Sequence, residues 1–418
     1  MTSGDHSSMP RRRLASRRQF LLGGAVAGVG AAVAIGADQL LARPAAPSSA
    51  TPPAAADAAA EQVHGADIVM FHGKHQAGID TPPAAHATFL GLDLREDVDR
   101  DGLRRLMRVL SDDAARLTAG RAALADTEPE LGAAPARLTV TFGFGPGLVT
   151  RAGGAAPGWL APLPAFGIDR LRPEYSEGDL LLIVSSDDAV TLAHATRMLL
   201  KDARSFASVR WSQSGFRRAR GTEASGTTMR NLFGQVDGTS NLVPGTADFD
   251  RLVWIDDGWL AGGTSFVLRR IEMNLDTWDE VDRAGREQSM GRFLDSGAPL
   301  TGTKEHDEPD FAATTSLGFP VIPDFSHVRR ARSDNPDERI LRRAYNYDEP
   351  PGGAAVSRSG LLFGSFQADV SRQFTPLQRR LDELDLLNTW TTPIGSAVFA
   401  IPPGCEPGGY VGETLLDA

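Results

Sequence analysis

Apolar and polar positions in the first half of the chain alternate in a way that predicts both strands and helices. Runs typical of β-strands occupy 66–73, 86–94, 136–147 and 179–188. Apolar residues recur at helical spacing through 95–120, where Asp99 or Asp101 offers an N-cap and Gly120 a stop. A second helix is predicted over 188–203. This order indicates an α+β fold of the ferredoxin-like kind.

The second half of the chain repeats this pattern. Strand-like runs occupy 251–256, 264–275, 360–369 and 395–403. A helix is predicted over 277–292 with Thr277 as its N-cap. Another is predicted over 375–390, with Thr375 as cap and Pro376 in the first helical position.

The two patterned regions have similar lengths, so we predict two α+β domains at 61–222 and 223–418. A cleft between such halves is the default place to expect a ligand.

The N-terminal segment has the pattern of an export signal rather than of a folded domain. A strongly basic stretch ending in Arg17-Arg18 precedes a Gly- and Ala-rich apolar run, and this order resembles a twin-arginine signal peptide. We assign it to 1–43, followed by a disordered linker at 44–60. The alternative is a single anchoring helix, for which the run is near the spanning length but weakly apolar. We therefore predict export to the periplasm, cell envelope or exterior, without stable membrane insertion after cleavage.

Charge and cysteine content narrow the classes of function. The formal net charge is −10, which argues against nucleic acid and anionic membranes as partners. The chain has one cysteine, Cys405, so it has no internal disulfide framework and no Cys-rich metal site. It also lacks a C-x-x-C-H attachment sequence, so any haem would be held non-covalently.

The histidines offer two candidate sites. His72 and His75 are three residues apart and could form a metal pair, but no cysteine or acidic cluster lies near them in sequence. His327 stands in an arginine-rich stretch, 324–347, that ends in aromatic residues. That stretch is either a solvated basic surface or an iron-ligating imidazole among arginines that pair with haem propionates.

The segment GQVDGTSN, residues 234–241, places an acid at the apex of a tight polar loop. Gly234 and Gly238 bracket Asp237. Taken alone, this composition is typical of an ordinary Asp-Gly turn.

Several segments, taken in order, resemble the DyP-type (dye-decolourising) haem peroxidases. They are GQVDGTSN, HVRRARSDNP, ILRRAYNYDE and GLLFGSFQADVSRQFTPLQRRLDELDLLN, preceded by FHGKHQAGIDTPPAAHATFLGLDL. The resemblance covers residues 65–405. It implies two ferredoxin-like domains with antiparallel sheets and non-covalent haem b in the cleft of the C-terminal half. The exported subgroup includes the peroxidase of bacterial iron-uptake systems, also described as a deferrochelatase.

The resemblance also implies roles for individual residues. His327 matches the ligand of the haem iron, Asp237 the distal acid, and Arg342 the distal arginine, although Ala344 stands where members commonly have glycine. The residues that match haem-lining segments are Gly238, Thr239, Ser240, Asn335, Pro336 and Asp337. Asp385 is our first choice for the carboxylate that binds the imidazole.

Asp369 is our second choice for that carboxylate.

The implied function is reduction of hydrogen peroxide with oxidation of small aromatic or dye-like donors. One alternative is a deferrochelatase that releases iron from haem. Another is an exported haem-binding module, which needs only His327 and the cleft. A homo-oligomer is compatible with the sequence.

Overall fold

The computed structural model describes residues 63–418. The predicted signal peptide (1–43) and linker (44–60) lie outside these residues. Within 63–418 the strands are β1 (His86–Leu94), β2 (Thr139–Phe144), β3 (Leu180–Ser186), β4 (Ala207–Phe216), β5 (Thr264–Met273), β6 (Leu341–Arg342), β7 (Tyr345–Glu349), β8 (Arg358–Gln367) and β9 (Thr391–Ile401).

The strands form two antiparallel four-stranded sheets that meet at their edges. The first has the order β2-β3-β1-β4 and the second the order β9-β5-β8-β7, with β6 added along β8. Each is the ferredoxin-like order, in which the fourth strand lies beside the first. The sheets join through single pairs, Phe144 with Ala400 and Phe216 with Asn346. The predicted α+β fold of two ferredoxin-like units is therefore confirmed.

Helices connect the strands and cover the sheets. Within the described residues they are α1 (Arg100–Thr118), α2 (Pro146–Arg151), α3 (Ala189–Ala203), α4 (Ala247–Val253), α5 (Leu275–Asp279), α6 (Arg283–Met290), α7 (His327–Ala331), α8 (Phe374–Leu384) and α9 (Glu413–Leu416). Asp99 caps α1 by accepting the Gly102 N–H at 2.8 Å, as one of the two predicted caps. The buried residues of α1 include Leu103 and Leu110, so its apolar stripe faces the core.

Side chains from both sheets meet in one core. The Phe89 ring of β1 lies 6.3 Å from the Phe266 ring of β5 and 6.0 Å from the Tyr345 ring of β7, measured between centroids. All three are almost fully buried. This packing fixes the second sheet, which carries the cavity described below, against the first. Among residues 63–418, none of the helices has the length and apolar character needed to cross a membrane.

Two strand predictions are wrong. Residues 66–73 form no strand, and Phe71 is the one fully buried residue among them. At 251–256 the chain instead finishes helix α4. The reason is a cap: the Thr246 hydroxyl accepts the N–H of Phe249 at 3.2 Å, which starts a helix before the apolar run begins.

The predicted helix at 277–292 is two short helices. Asn274 caps α5 and Asp282 caps α6, each by accepting a backbone N–H three residues ahead, so Thr277 is not the cap. The helix predicted to reach residue 390 ends at Leu384. Beyond it Asp385 is extended and its carboxylate accepts the Leu387 N–H at 3.0 Å. Strands β4, β6 and β7 were not predicted.

Candidate active site

A cavity of about 710 Å³ opens beside the second sheet, within the usual size of a ligand pocket. Of its lining residues only Ile168 precedes residue 223. The cavity therefore belongs to the C-terminal half, and the expectation of a cleft between the halves is wrong. Its apolar wall includes Phe233, Met273, Met290, Phe363, Phe374 and Leu381, and its cationic lining consists of Arg269, Arg292, Arg332, Arg339 and Arg342.

His327 lines this cavity at the first position of α7. Its Nδ1 lies 2.6 Å from Oδ2 of Asp385, whose side chain is only 3% exposed. The Leu386 N–H donates to the Phe325 carbonyl at 2.9 Å, which brings the two segments together. Because Nδ1 is occupied by Asp385, Nε2 is the ring nitrogen available to a ligand in the cavity.

The electrostatic surroundings favour the charged form of the imidazole. Burial lowers the pKa of His327, but the charge and hydrogen bond of Asp385 outweigh burial, so the pKa is raised above its ordinary value. The positive charge of Arg342 lowers the pKa of His327, and the negative charge of Asp237 raises it. Asp237 and Arg342 line the same cavity as the imidazole.

Asp237 and Arg342 form an ion pair in the wall of the cavity. Oδ1 of Asp237 lies 3.2 Å from Nη2 of Arg342, and both side chains are mostly buried. The GQVDGTSN loop turns through Gly234 and Gly238, with φ of +81° and +136°. Such angles favour glycine, so the composition of the loop serves its backbone shape while Asp237 faces the cavity.

Two polar residues hold this loop and were not predicted to take part in the site. Glu305 Oε1 accepts the hydroxyls of Thr228 at 2.6 Å and Thr239 at 3.0 Å. Asn241 binds the backbone of Arg342. Asn241 is the last residue of the GQVDGTSN loop, where its sequence neighbours indicate only a turn. Nothing in the sequence indicates that Glu305 holds this loop, since its partners are more than 60 positions away.

The structure brings most of the predicted lining residues together. Those that line the cavity are Gly238, Thr239, Ser240, Asn335 and Pro336. Asp337 does not line it, because its carboxylate forms an ion pair with Arg251 of α4 instead. Asp369 was the second choice for the carboxylate that binds the imidazole. It instead accepts the N–H groups of Ser371 and Arg372 and so holds a turn. Asp385 therefore occupies the position behind His327.

The second histidine candidate does not assemble a site. The His75 ring stacks on Trp254 at 3.7 Å between centroids, and its Nδ1 lies 2.6 Å from the Gly262 carbonyl oxygen. His72 instead lies beside Cys405, with 3.8 Å between Nδ1 and Sγ. In the part of the chain that the structure describes, no group of three or more His, Cys, Asp and Glu residues is arranged to hold a metal.

Comparison with known families assigns both halves of the chain. A family model described as Dyp-type peroxidase, N-terminal, matches residues 76–217, and one described as Dyp-type peroxidase, C-terminal, matches residues 228–406. The chain belongs to the DyP-type peroxidase family. A dye-decolorizing peroxidase from Thermobifida fusca is 37% identical over 97% of this chain and 98% of its own length.

Two further relatives support the same family. A DyP-type peroxidase from Cellulomonas bogoriensis, known from a crystal structure, is 56% identical, covers 85% of this chain and 100% of its own, and superposes with a TM-score of 0.83. A deferrochelatase from Escherichia coli O6:K15:H31 is 32% identical over 83% of this chain and 86% of its own. DyP-type peroxidases are haem enzymes, so this DyP-type peroxidase is a haem-dependent oxidoreductase.

The residues of the cavity fit haem. A flat macrocycle needs apolar walls, which the cavity provides, and its two propionates need cations, which the lining arginines provide. Iron needs a neutral nitrogen donor whose other ring nitrogen is held by a carboxylate or carbonyl. In His327 the carboxylate of Asp385 holds Nδ1, and Nε2 would bind iron in place of its proton.

Proposed function

We propose that this DyP-type peroxidase uses His327, Asp237 and Arg342 to reduce hydrogen peroxide. One observation supports the assignment: a single cavity contains both an imidazole held by a carboxylate and a mostly buried Asp–Arg ion pair. The first is the arrangement expected of an imidazole that would hold a metal ion. The second combines a proton acceptor with a fixed positive charge.

His327 would hold the iron through Nε2, while Asp385 keeps the Nδ1 proton and fixes the orientation of the ring. Haem, when bound, supplies the redox chemistry that cleaves the O–O bond. The negative charge of Asp385 makes the imidazole a more basic ligand, which favours the oxidised forms of the iron.

Asp237 would move the proton. Its carboxylate accepts a proton from one oxygen of the peroxide and returns it to the other, which leaves as water. Arg342 stabilises the negative charge that develops on the oxygens and remains charged throughout. One turnover consumes one H2O2, takes one electron and one proton from each of two donors, and releases two water molecules.

The donors are proposed to be small aromatic or dye-like molecules. Peroxidase chemistry requires a reductant, and the Thermobifida fusca relative is a dye-decolorizing peroxidase. The test is peroxide-dependent bleaching of an anthraquinone dye by purified haem-loaded protein, with Asp237→Asn and Arg342→Leu as variants. Loss of bleaching in both variants with haem retained is expected. Unchanged bleaching in both would contradict the mechanism, and no bleaching by the parent protein would favour a haem-binding module.

A second activity is suggested by the relative named deferrochelatase. In that activity the same cavity would release iron from supplied haem and leave the porphyrin intact. Fluorescence of protoporphyrin, measured after haem is added without peroxide, distinguishes it from peroxidase turnover. The Asp237→Asn variant serves as the comparison, because removal of iron needs proton delivery to the ring nitrogens.

We also propose export by the twin-arginine route to the periplasm, cell envelope or exterior. The support is the order of basic, apolar and proline-rich segments in residues 1–60. Replacing Arg17 and Arg18 by lysine should leave the protein in the cytoplasm, as cell fractionation would show. Normal export of that variant would contradict the twin-arginine assignment.

A further inference from the structure

The short strand β6 carries Arg342 at the edge of the second sheet, beyond β8. An edge residue leaves a backbone N–H and C=O without a strand partner. In Arg342 both groups are bound by one side chain. Oδ1 of Asn241 accepts the Arg342 N–H at 2.8 Å, and Nδ2 of Asn241 donates to the Arg342 carbonyl at 2.7 Å. Asn241 thus takes the place of a neighbouring strand.

Asn241 also ends the loop that carries Asp237. The Asp237 N–H donates to the Met229 carbonyl at 2.8 Å, and Glu305 joins the two sides of the loop through Thr228 and Thr239. The loop is therefore a closed unit, and Asn241 is its attachment to β6. The two members of the ion pair are linked through backbone and side-chain bonds as well as through their charges.

We propose that Asn241 is a positioning residue that sets where the Arg342 guanidinium stands relative to Asp237. The inference rests on the proposed role of Arg342. β6 has only two residues, and although the Arg343 N–H binds the Gly364 carbonyl and β7 continues along β8, the bonds that tie the Arg342 backbone to the loop are the two from Asn241. Without the amide, the strand can move relative to the loop, and the Arg342 side chain moves with it. A displacement of about 1 Å at a reacting group can cost on the order of 100-fold in rate.

The chain provides a matched control for this interaction. Gln76 makes the same pair of bonds with the backbone of Phe142: Oε1 accepts the Phe142 N–H at 2.8 Å and Nε2 donates to its carbonyl at 3.0 Å. Gln76 does not line the cavity. Nε2 of Gln76 also donates to the Pro402 carbonyl at 2.9 Å, so Gln76→Ala loses the same pair of hydrogen bonds and one more, with no effect expected on the ion pair.

The first measurement is the rate constant for reaction of peroxide with haem-loaded protein, followed by stopped-flow absorbance. Asn241→Ala should lower it by about 10-fold to 100-fold, while Gln76→Ala leaves it unchanged and lowers only the unfolding temperature. Asn241→Asp is the second variant, in case the alanine protein does not fold. At neutral pH its carboxylate still accepts the Arg342 N–H but cannot donate to the carbonyl, so the rate should also fall.

The second measurement needs no haem. Hydrogen exchange in the haem-free protein reports the Arg342 N–H directly, and Asn241→Ala should accelerate it while Gln76→Ala does not. The third is a double-mutant comparison with Arg342→Leu. If Asn241 acts through Arg342, adding Asn241→Ala to Arg342→Leu should cause no further loss of rate.

The outcomes separate this inference from the proposed function. An unchanged peroxide rate in Asn241→Ala, or an equal loss of rate in the Arg342→Leu background, overturns the positioning role. A peroxide rate in Arg342→Leu equal to that of the parent refutes the role of Arg342 itself, and the inference with it. A slow Asn241→Ala with faster exchange of the Arg342 N–H, and no added loss in the double variant, supports it.

Discussion

Oδ2 of Asp385 lies 2.6 Å from Nδ1 of His327, although the two residues are 58 positions apart in the chain. The carboxylate is almost fully buried and also accepts the Leu387 N–H. A buried carboxylate with these two partners is held in one orientation, so it determines which nitrogen of the imidazole faces the cavity.

The first prediction concerns the charge behind the imidazole. Asp385→Asn keeps the shape of the side chain but removes its negative charge, so the oxidised iron loses stabilisation. The midpoint potential of the haem-loaded protein should rise by on the order of 50–100 mV, where 59 mV corresponds to a tenfold change for one electron. Spectroelectrochemical titration measures the shift. Asp369→Asn is the control, and a shift of equal size in that variant would contradict the assignment of Asp385.

The second prediction concerns the residue that holds the iron. His327→Ala should bind haem weakly, because the cavity loses its nitrogen donor while the described residues offer it no other imidazole except the exposed His306. The ratio of Soret absorbance to protein after desalting measures the loss, and added imidazole should restore it. His306→Ala is the control and should keep its haem. Full haem content and activity in His327→Ala would show that another group ligates the iron.

The third prediction concerns the proton acceptor. Asp237→Asn retains the size of the side chain but cannot take a proton from peroxide, so kcat/KM for peroxide should fall by about 10²-fold to 10⁴-fold. The kcat/KM for the dye should change little, since the donor reacts in a later step. Asp334→Asn is the matched control, because Asp334 is an exposed carboxylate that also lines the cavity. An equal loss in both variants would point to a general effect of charge in the cavity.

The fourth prediction concerns stability and pH, far from the haem cavity. Burial, together with the neighbouring carboxyl group of Asp113 on α1, raises the pKa of Asp202 on α3 to about 7. The folded protein therefore keeps this proton while the unfolded chain releases it near pH 4. The contribution of Asp202 to stability is complete below about pH 4 and is lost as pH rises through about 7.

Asp202→Asn should remove this dependence. Its free energy of unfolding should exceed that of the parent by about 1–2 kcal/mol at pH 8, less than the full pKa difference would give because the group is partly accessible. The gain should shrink towards pH 5. Urea denaturation at the two pH values measures it, with the exposed Asp256→Asn as control. A gain that is the same at both pH values would contradict the raised pKa of Asp202.

The sequence by itself determined the class of fold and the main chemical groups of the site. Short apolar runs identified β1 and β3, whose residues are buried almost throughout. Helical spacing of apolar residues identified α1 and α3, each of which buries one face. Three motifs that resemble those of DyP-type peroxidases indicated His327, Asp237 and Arg342. The apolar pattern predicted the wrong element where a side-chain cap started a helix, as Thr246 does before α4 and Asn274 does before α5.

Only the tertiary structure decided how these groups are arranged. It distinguished Asp385 from Asp369 behind the imidazole, and it turned Asp337 away from the cavity towards Arg251. It also showed that Asn241 binds the backbone of Arg342, 101 positions away. Such contacts depend on how distant strands and loops are brought together, and the identity of a residue does not report its partner when that partner lies across the fold.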